Sequence, residues 1–234
     1  MAGVVGTFVL IPGAGGSSWY WHRLVPLLQH AEHEVVAVDL PASDNRAHLT
    51  DYVASAIAQA AHGSGRRPLT VVGQSMAGFV APSVAAELAA DRLVLLNAMT
   101  PRPGEKLGEW FADTDQPNAA RQFAIHEGRS PHEGVDPLVD MFNDVPQDVI
   151  DQALAAGEPA QSQTPFADVW PLTAWPDMPT RFLAARADRM FPLTLQQRVV
   201  SERLGIDIEP IAGGHLAALG RPDELAQALL TDLS

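Results

Sequence analysis

The chain has 234 residues, 47% of them hydrophobic, which is enough for one substantial core and too few for two ordinary domains. Its formal charge of -13, with Arg66-Arg67 as the only basic doublet, excludes a general grip on nucleic acid or anionic membrane, both polyanions that require Lys and Arg clusters. Lys106 is the sole lysine and there is no cysteine, so Schiff-base chemistry, Walker-type phosphate binding, disulfides and thiolate metal sites all lack support. Neither a cofactor nor a metal is expected, and the absence of cysteine fits a cytoplasmic protein.

The first ten residues, MAGVVGTFVL, carry no positive n-region or cleavage site and read as a core strand over 4-11. No apolar run approaches the roughly 18 residues that a membrane helix needs. The strand runs into Ile11-Pro12-Gly13-Ala14-Gly15-Gly16-Ser17. A glycine-rich loop at this point can cradle a phosphate, but this one has neither G-x-G-x-x-G spacing nor a G-K-S/T ending. The alternative is a loop whose backbone amides stabilise an oxyanion. A helical pattern over 19-30 comes next, opening on the aromatic cluster Trp19-Tyr20-Trp21, and then a strand over 34-39 that closes on Asp39. Because Asp39 precedes the nucleophile candidate, Ser75, it reads as structural.

After a helix over 48-62, a strand over 68-73 ends in Gly73-Gln74-Ser75-Met76-Ala77-Gly78 and a helix over 76-90 begins at once. This is the context of a nucleophile elbow: small residues let strand and helix approach in a strained turn, and the serine hydroxyl projects from the sheet edge. Ala77 stands where a second glycine is usual. A serine N-cap in an ordinary strand-to-helix turn is the plainer reading of the same residues. Ser75 is preferred as a nucleophile because an acid and a histidine stand at the ends of later strands. The amide of Met76, at the helix N-terminus, is one candidate oxyanion donor, and the glycine loop supplies the second.

A strand over 92-97 is followed by residues 100-177, where the regular alternation stops and Pro, Asp, Gln and large apolar side chains dominate. So long a stretch is not a structureless loop, and it reads as a helical cap inserted into a core made of 1-99 and 178-234. Trp110, Phe142 and Trp170 are its candidate substrate contacts, and the insertion's aromatic content points to an apolar small-molecule substrate. Beyond it, a strand over 179-185 leads to Asp188, a helix covers 193-204, and a strand over 206-211 leads through Gly213-Gly214 to His215. A last helix is expected over 222-233. Eight histidines compete to be the base, but His215 alone follows a strand end and two glycines that let the backbone turn it over the sheet. Asp188 then orients the imidazole, and the order Ser, Asp, His is the one this architecture uses. Asp177 is the alternative acid, placed before its strand and hence at the opposite sheet edge. Alternating βα units of this kind specify an α/β fold with a mainly parallel sheet flanked by helices.

With PGAGGSSWYWHRLVPLL, GQSMAG, RADRMFP and GGHLAAL in view, the chain resembles the α/β-hydrolase superfamily, and more narrowly the small serine esterases related to plant methylesterases and hydroxynitrile lyases. The resemblance implies a Ser75-His215-Asp188 triad with the amides of Ala14 and Met76 as the oxyanion hole. Pro12 stands where such proteins commonly have histidine. Leu216 stands where the lyases have a lysine, so the positive charge that cyanohydrin cleavage uses is missing. Dehalogenases and epoxide hydrolases of this fold place aspartate at the elbow, which Ser75 excludes. The expected activity is hydrolysis of a small to medium apolar carboxylic ester. Thioesterase, amidase or C-C hydrolase chemistry would use the same groups, and a non-hydrolytic lyase or ligand-binding protein is the reading from another class.

Overall fold

The computed structural model describes residues 4-63, 65-157 and 159-231. Six parallel strands form one sheet in the order β2-β1-β3-β4-β5-β6: β1 Thr7–Ile11, β2 Glu34–Ala37, β3 Leu69–Gln74, β4 Arg92–Leu96, β5 Thr180–Ala185 and β6 Glu209–Ile211. Every strand expected from sequence is present, each within a few residues of its expected bounds. The central strands β1 and β3 are buried throughout, whereas β2 and β6, at the two edges, are half-buried or exposed.

Alternation along each strand divides the core into two layers. Val9, Ile11, Val71, Leu93, Leu95, Phe182 and Ala184 point to one face, where they pack with α2 (Leu49–Ala60), α3 (Ala81–Glu87) and α7 (Leu193–Leu204). Phe8, Leu10, Val72, Val94, Leu96 and Leu183 point to the other, against α1 (Val25–His30), α8 (Ala217–Gly220) and α9 (Pro222–Leu230). Both faces are covered, which is why the inner strands read as continuous apolar runs.

Two expected helices are shorter than the sequence pattern suggested. Residues 19-30 split into a 3-10 turn at Ser18–Trp21 and α1, and residues 76-90 split into a 3-10 turn at Ser75–Phe79 and α3. Pro26 and Pro82 lie in the first turn of α1 and α3, where a missing N–H costs nothing but the preceding turn cannot run straight through. The final helix ends at Leu230, and residues 232-233 of the expected span lie outside the described residues.

Between β4 and β5 lie α4 (Trp110–Asp113), α5 (Gln116–His126), α6 (Gln147–Ala156) and several single turns. The root of this segment is fixed in the core. Arg203 on α7 forms a bidentate pair with Glu105, Nη1 to Oε2 at 2.7 Å and Nη2 to Oε1 at 2.9 Å, and also donates to the Thr100 carbonyl at 2.6 Å. The two side chains are 1% and 4% exposed. At its far end, Asp168 accepts from the Leu49 amide at 2.8 Å and meets His48 Nδ1 at 2.9 Å, tying the chain to the start of α2. Among the described residues no helix is long and apolar enough to cross a membrane.

Candidate active site

In a parallel sheet all strands end at one edge, so the loops after β1, β3, β4, β5 and β6 converge there. Register brings them level: Ile11 pairs with Gly73, Gln74 with Leu96, and Ala185 with Ile211. Ser75 follows β3 directly, Asp188 stands three residues past β5, and His215 stands four past β6.

The turn at Ser75 is a strained one. Its φ is +52°, in the left-handed region that costs an L residue roughly 1-2 kcal/mol. Close packing holds it there. A Cβ on Gly78 would fall 1.7 Å from the Met99 carbonyl oxygen, and one on Gly73 would fall 2.5 Å from the Ala81 Cβ, so the elbow helix lies directly against its neighbours. Met99 in turn donates its amide to the Ser75 carbonyl at 2.9 Å. Ala77, at the usual second-glycine position, is fully buried in the core.

Three side chains form a continuous relay. His215 Nε2 lies 3.0 Å from Ser75 Oγ, and His215 Nδ1 lies 2.8 Å from Asp188 Oδ2. Facing a carboxylate, Nδ1 carries the proton, and Nε2 of the neutral ring is left to accept from the serine hydroxyl. Asp188 Oδ1 accepts the Phe191 amide at 2.7 Å, and the Phe191 ring meets the imidazole edge-on at 5.0 Å. Asp188 and His215 are fully buried and Ser75 is 6% exposed, so the relay works in a medium that strengthens its electrostatics. Tyr20 lies close by, its hydroxyl accepting from the Ala218 amide. Burial first, and then the negative charge of Asp188, push its ionisation well above the usual phenol range against the opposing pull of that amide, which keeps it a neutral phenol.

The glycine loop turns over the elbow. Gly16 donates to the Gly13 carbonyl at 3.1 Å and Gly15 has φ +83°, the pattern of a type II turn with Ala14 at its first corner. Ala14 is exposed there. A Cβ on Gly13 would stand 2.9 Å from the Ser75 Cβ, so the loop passes within contact of the serine. Met76 is the residue directly after Ser75 in the 3-10 turn and is buried. The inserted segment reaches both sides of this edge. Gln161 Oε1 accepts the Gly15 amide at 3.0 Å, Asn143 donates to the Ala187 carbonyl at 3.0 Å, and the Asn143 side chain lies against Gly214.

The remaining candidates from sequence are spread between core and surface. Trp110 is 2% exposed, 5.0 Å from the Phe191 ring, and borders a small internal cavity of about 10 Å³ with Thr100, Phe191 and Gln196. Trp170 is equally buried and packs on Trp175 at 5.0 Å, while Phe142 is half-buried in the opposite core layer. In this conformation the two indoles belong to the interior, packed in the same core layer as Phe182 and Phe191. Tyr20 and Trp21 are core residues too, and Trp19 stacks on His22. Asp39 accepts from the Ser18 amide at 2.7 Å, a structural role, and Asp177 is exposed ahead of β5, away from His215. Leu216 is buried beside the histidine. Sequence reasoning passed over Gln74 and Asn97, both buried at strand ends around the relay. The one available signal was a polar residue closing an otherwise apolar strand.

Sheet, elbow and relay together define a hydrolase built on a doubly wound parallel sheet. The chain belongs to the alpha/beta hydrolase family, whose model matches residues 8-228. It is similar to a probable esterase of Oryza sativa subsp. indica, with 26% identity over 95% of each chain. Among solved structures it is similar in fold to polyneuridine aldehyde esterase, with a TM-score of 0.70, 20% identity and coverage of 98% of this chain and 100% of the other. A methylesterase from Arabidopsis gives a TM-score of 0.72 at 19% identity, covering 97% and 98% of the two chains.

Proposed function

We propose that this protein is a serine esterase that cleaves small to medium apolar carboxylic esters through an acyl-enzyme. The observation that carries the reading is the hydrogen-bonded relay from Ser75 through His215 to Asp188 at 3.0 and 2.8 Å. Ser75 Oγ attacks the ester carbonyl carbon as His215 Nε2 takes its proton, and Asp188 stabilises the imidazolium that results. The carbonyl oxygen becomes an oxyanion, held by the amides of Ala14 and Met76, each worth about 2.7-4 kcal/mol in the transition state. Collapse breaks the bond to the alkoxy oxygen, which leaves as alcohol with the proton from His215. Water, deprotonated by the same imidazole, then attacks the acyl-enzyme and frees the acid and Ser75.

The rice relative is named a probable esterase, which favours ester over other acyl substrates. Leu216 offers no cation for a departing cyanide, and a hydrophobic acyl or alkyl group suits the insertion, whose Trp110 and Phe142 are proposed as walls once the segment shifts to admit substrate. The test is labelling with a fluorophosphonate probe, peptide mapping, and turnover of a series of p-nitrophenyl esters. Ser75 is expected to carry the label, and Ser75→Ala to stay folded without label or turnover. A folded wild type that remains unlabelled overturns the proposal.

A further inference from the structure

Gln74 is 3% exposed and is the last residue of β3, one position before the serine. Its two polar atoms point to different loops. Oε1 accepts the Gly13 amide at 3.1 Å, and Nε2 donates to the His215 carbonyl at 3.3 Å. Asn97, at the end of β4, donates to the same carbonyl at 3.1 Å and to that of Gly214 at 3.2 Å, while its own Oδ1 accepts the Ala185 amide at 2.7 Å. Asn97 has φ +44°, a left-handed conformation that asparagine tolerates better than most residues.

We infer that Gln74 is a positioning residue that sets the glycine loop and the histidine loop against the nucleophile at once, with Asn97 as the second anchor of the histidine loop. A primary amide suits this task because it holds an acceptor and a donor on one rigid plane, and here one faces an N–H and the other a C=O. The loops come from opposite ends of the chain and share no hydrogen-bonded strand with each other, since β1 and β6 lie four places apart in the sheet. Gln74 joins them through a single side chain fixed to the residue before Ser75. Gly13 precedes Ala14, so displacement of its amide moves the oxyanion donor, and displacement of the His215 carbonyl moves the imidazole. A misplacement near 1 Å costs on the order of 100-fold in rate.

The inference rests on the esterase reading, and the experiment separates the two. Wild type, Gln74→Met and the isosteric Gln74→Glu are titrated with a fluorophosphonate, so that rates of p-nitrophenyl butyrate hydrolysis are expressed per labelled site and an unfolded fraction does not count. Gln74→Met removes both contacts, whereas Gln74→Glu keeps an acceptor for Gly13 and, ionised, turns a second acceptor instead of a donor toward the His215 carbonyl. Expected is a fall in kcat of about 10- to 100-fold for Gln74→Met, with KM within threefold of wild type, and a fall for Gln74→Glu as well. Inhibition by phenylboronic acid, whose tetrahedral adduct needs both loops, should weaken by the same factor as kcat/KM. If Gln74→Met does not fold, Gln74→Glu decides alone. A labelled wild type with variants whose kcat per site lies within twofold, or whose loss is all in KM, overturns the positioning role. An unlabelled wild type fails the esterase reading instead.

Discussion

Replacing Arg203 by alanine should be among the more damaging single changes outside the active site. The guanidinium is 1% exposed and makes three hydrogen bonds, two to Glu105 and one to the Thr100 carbonyl. Without it, Glu105 keeps only the Arg102 amide, at 3.0 Å, to compensate a carboxylate removed from water. Stranding a buried charge in this way costs about 3-5 kcal/mol. For a chain of this size 1 kcal/mol moves Tm by about 2-4 °C, so calorimetry should find a drop of about 6-20 °C. The pair itself is not worth that much, because desolvating both ions offsets most of their attraction. The double variant Arg203→Met with Glu105→Gln, whose amide oxygen still accepts from Arg102, should therefore recover to within about 1.5 kcal/mol of wild type. If Arg203→Ala lost under about 1 kcal/mol, or the double variant lost the sum of its parts, the account of a buried, coupled pair would be refuted.

Asp188→Asn presents His215 with an amide and favours the wrong tautomer, so kcat for an activated ester should fall by orders of magnitude, about 10⁴-fold in comparable triads, with the fold retained by circular dichroism. A near-normal rate would remove Asp188 from the mechanism. Gly78→Ala drives a Cβ into the Met99 carbonyl and should cost about 3 kcal/mol, read by urea denaturation, whereas Gly205→Ala meets open space at φ +69° and should cost about 1-2 kcal/mol; equal losses would contradict the packing argument. His33 accepts the Gly6 amide on Nδ1 at 3.1 Å, and burial holds its pKa below the usual histidine range. The folded state therefore binds fewer protons than the unfolded chain, and stability should fall as pH drops below about 6.5 through the lowered value. His33→Gln should flatten that part of a Tm-against-pH curve, and an unchanged slope there would assign it to other groups.

The sequence made the site legible where chemistry coincided with a strand end. Ser75, Asp188 and His215 each follow an apolar run, and parallel topology alone then brings them to one edge. Ala14 and Met76 were readable as neighbours of small residues at the same edge. Gln74 was in plain view in the elbow, but its meaning depends on Gly13 and His215, which lie 61 and 141 residues away. No local pattern announces such partners, and the same holds for Glu105 and Arg203. An aromatic insertion looks the same in sequence whether it roofs a cavity or fills the core, so the burial of Trp110 and Trp170 was not legible. The helix breaks were visible as Pro26 and Pro82, yet the apolar periodicity around them spoke for longer helices.

The contacts of the inserted segment bear on how such a protein changes its substrate. Gln161 holds the glycine loop and the Tyr52 hydroxyl, Asn143 holds the acid loop, and Asp144 is paired with Arg221 ahead of α9. The insertion is thus wired to the framework at points that also shape the reactive centre, and it is not an interchangeable module. A graft that brings a new pocket from a relative must bring these three anchors with it, or the new specificity will arrive with a disordered glycine loop. Point substitutions between the anchors leave that wiring intact and are the accessible route to new substrates.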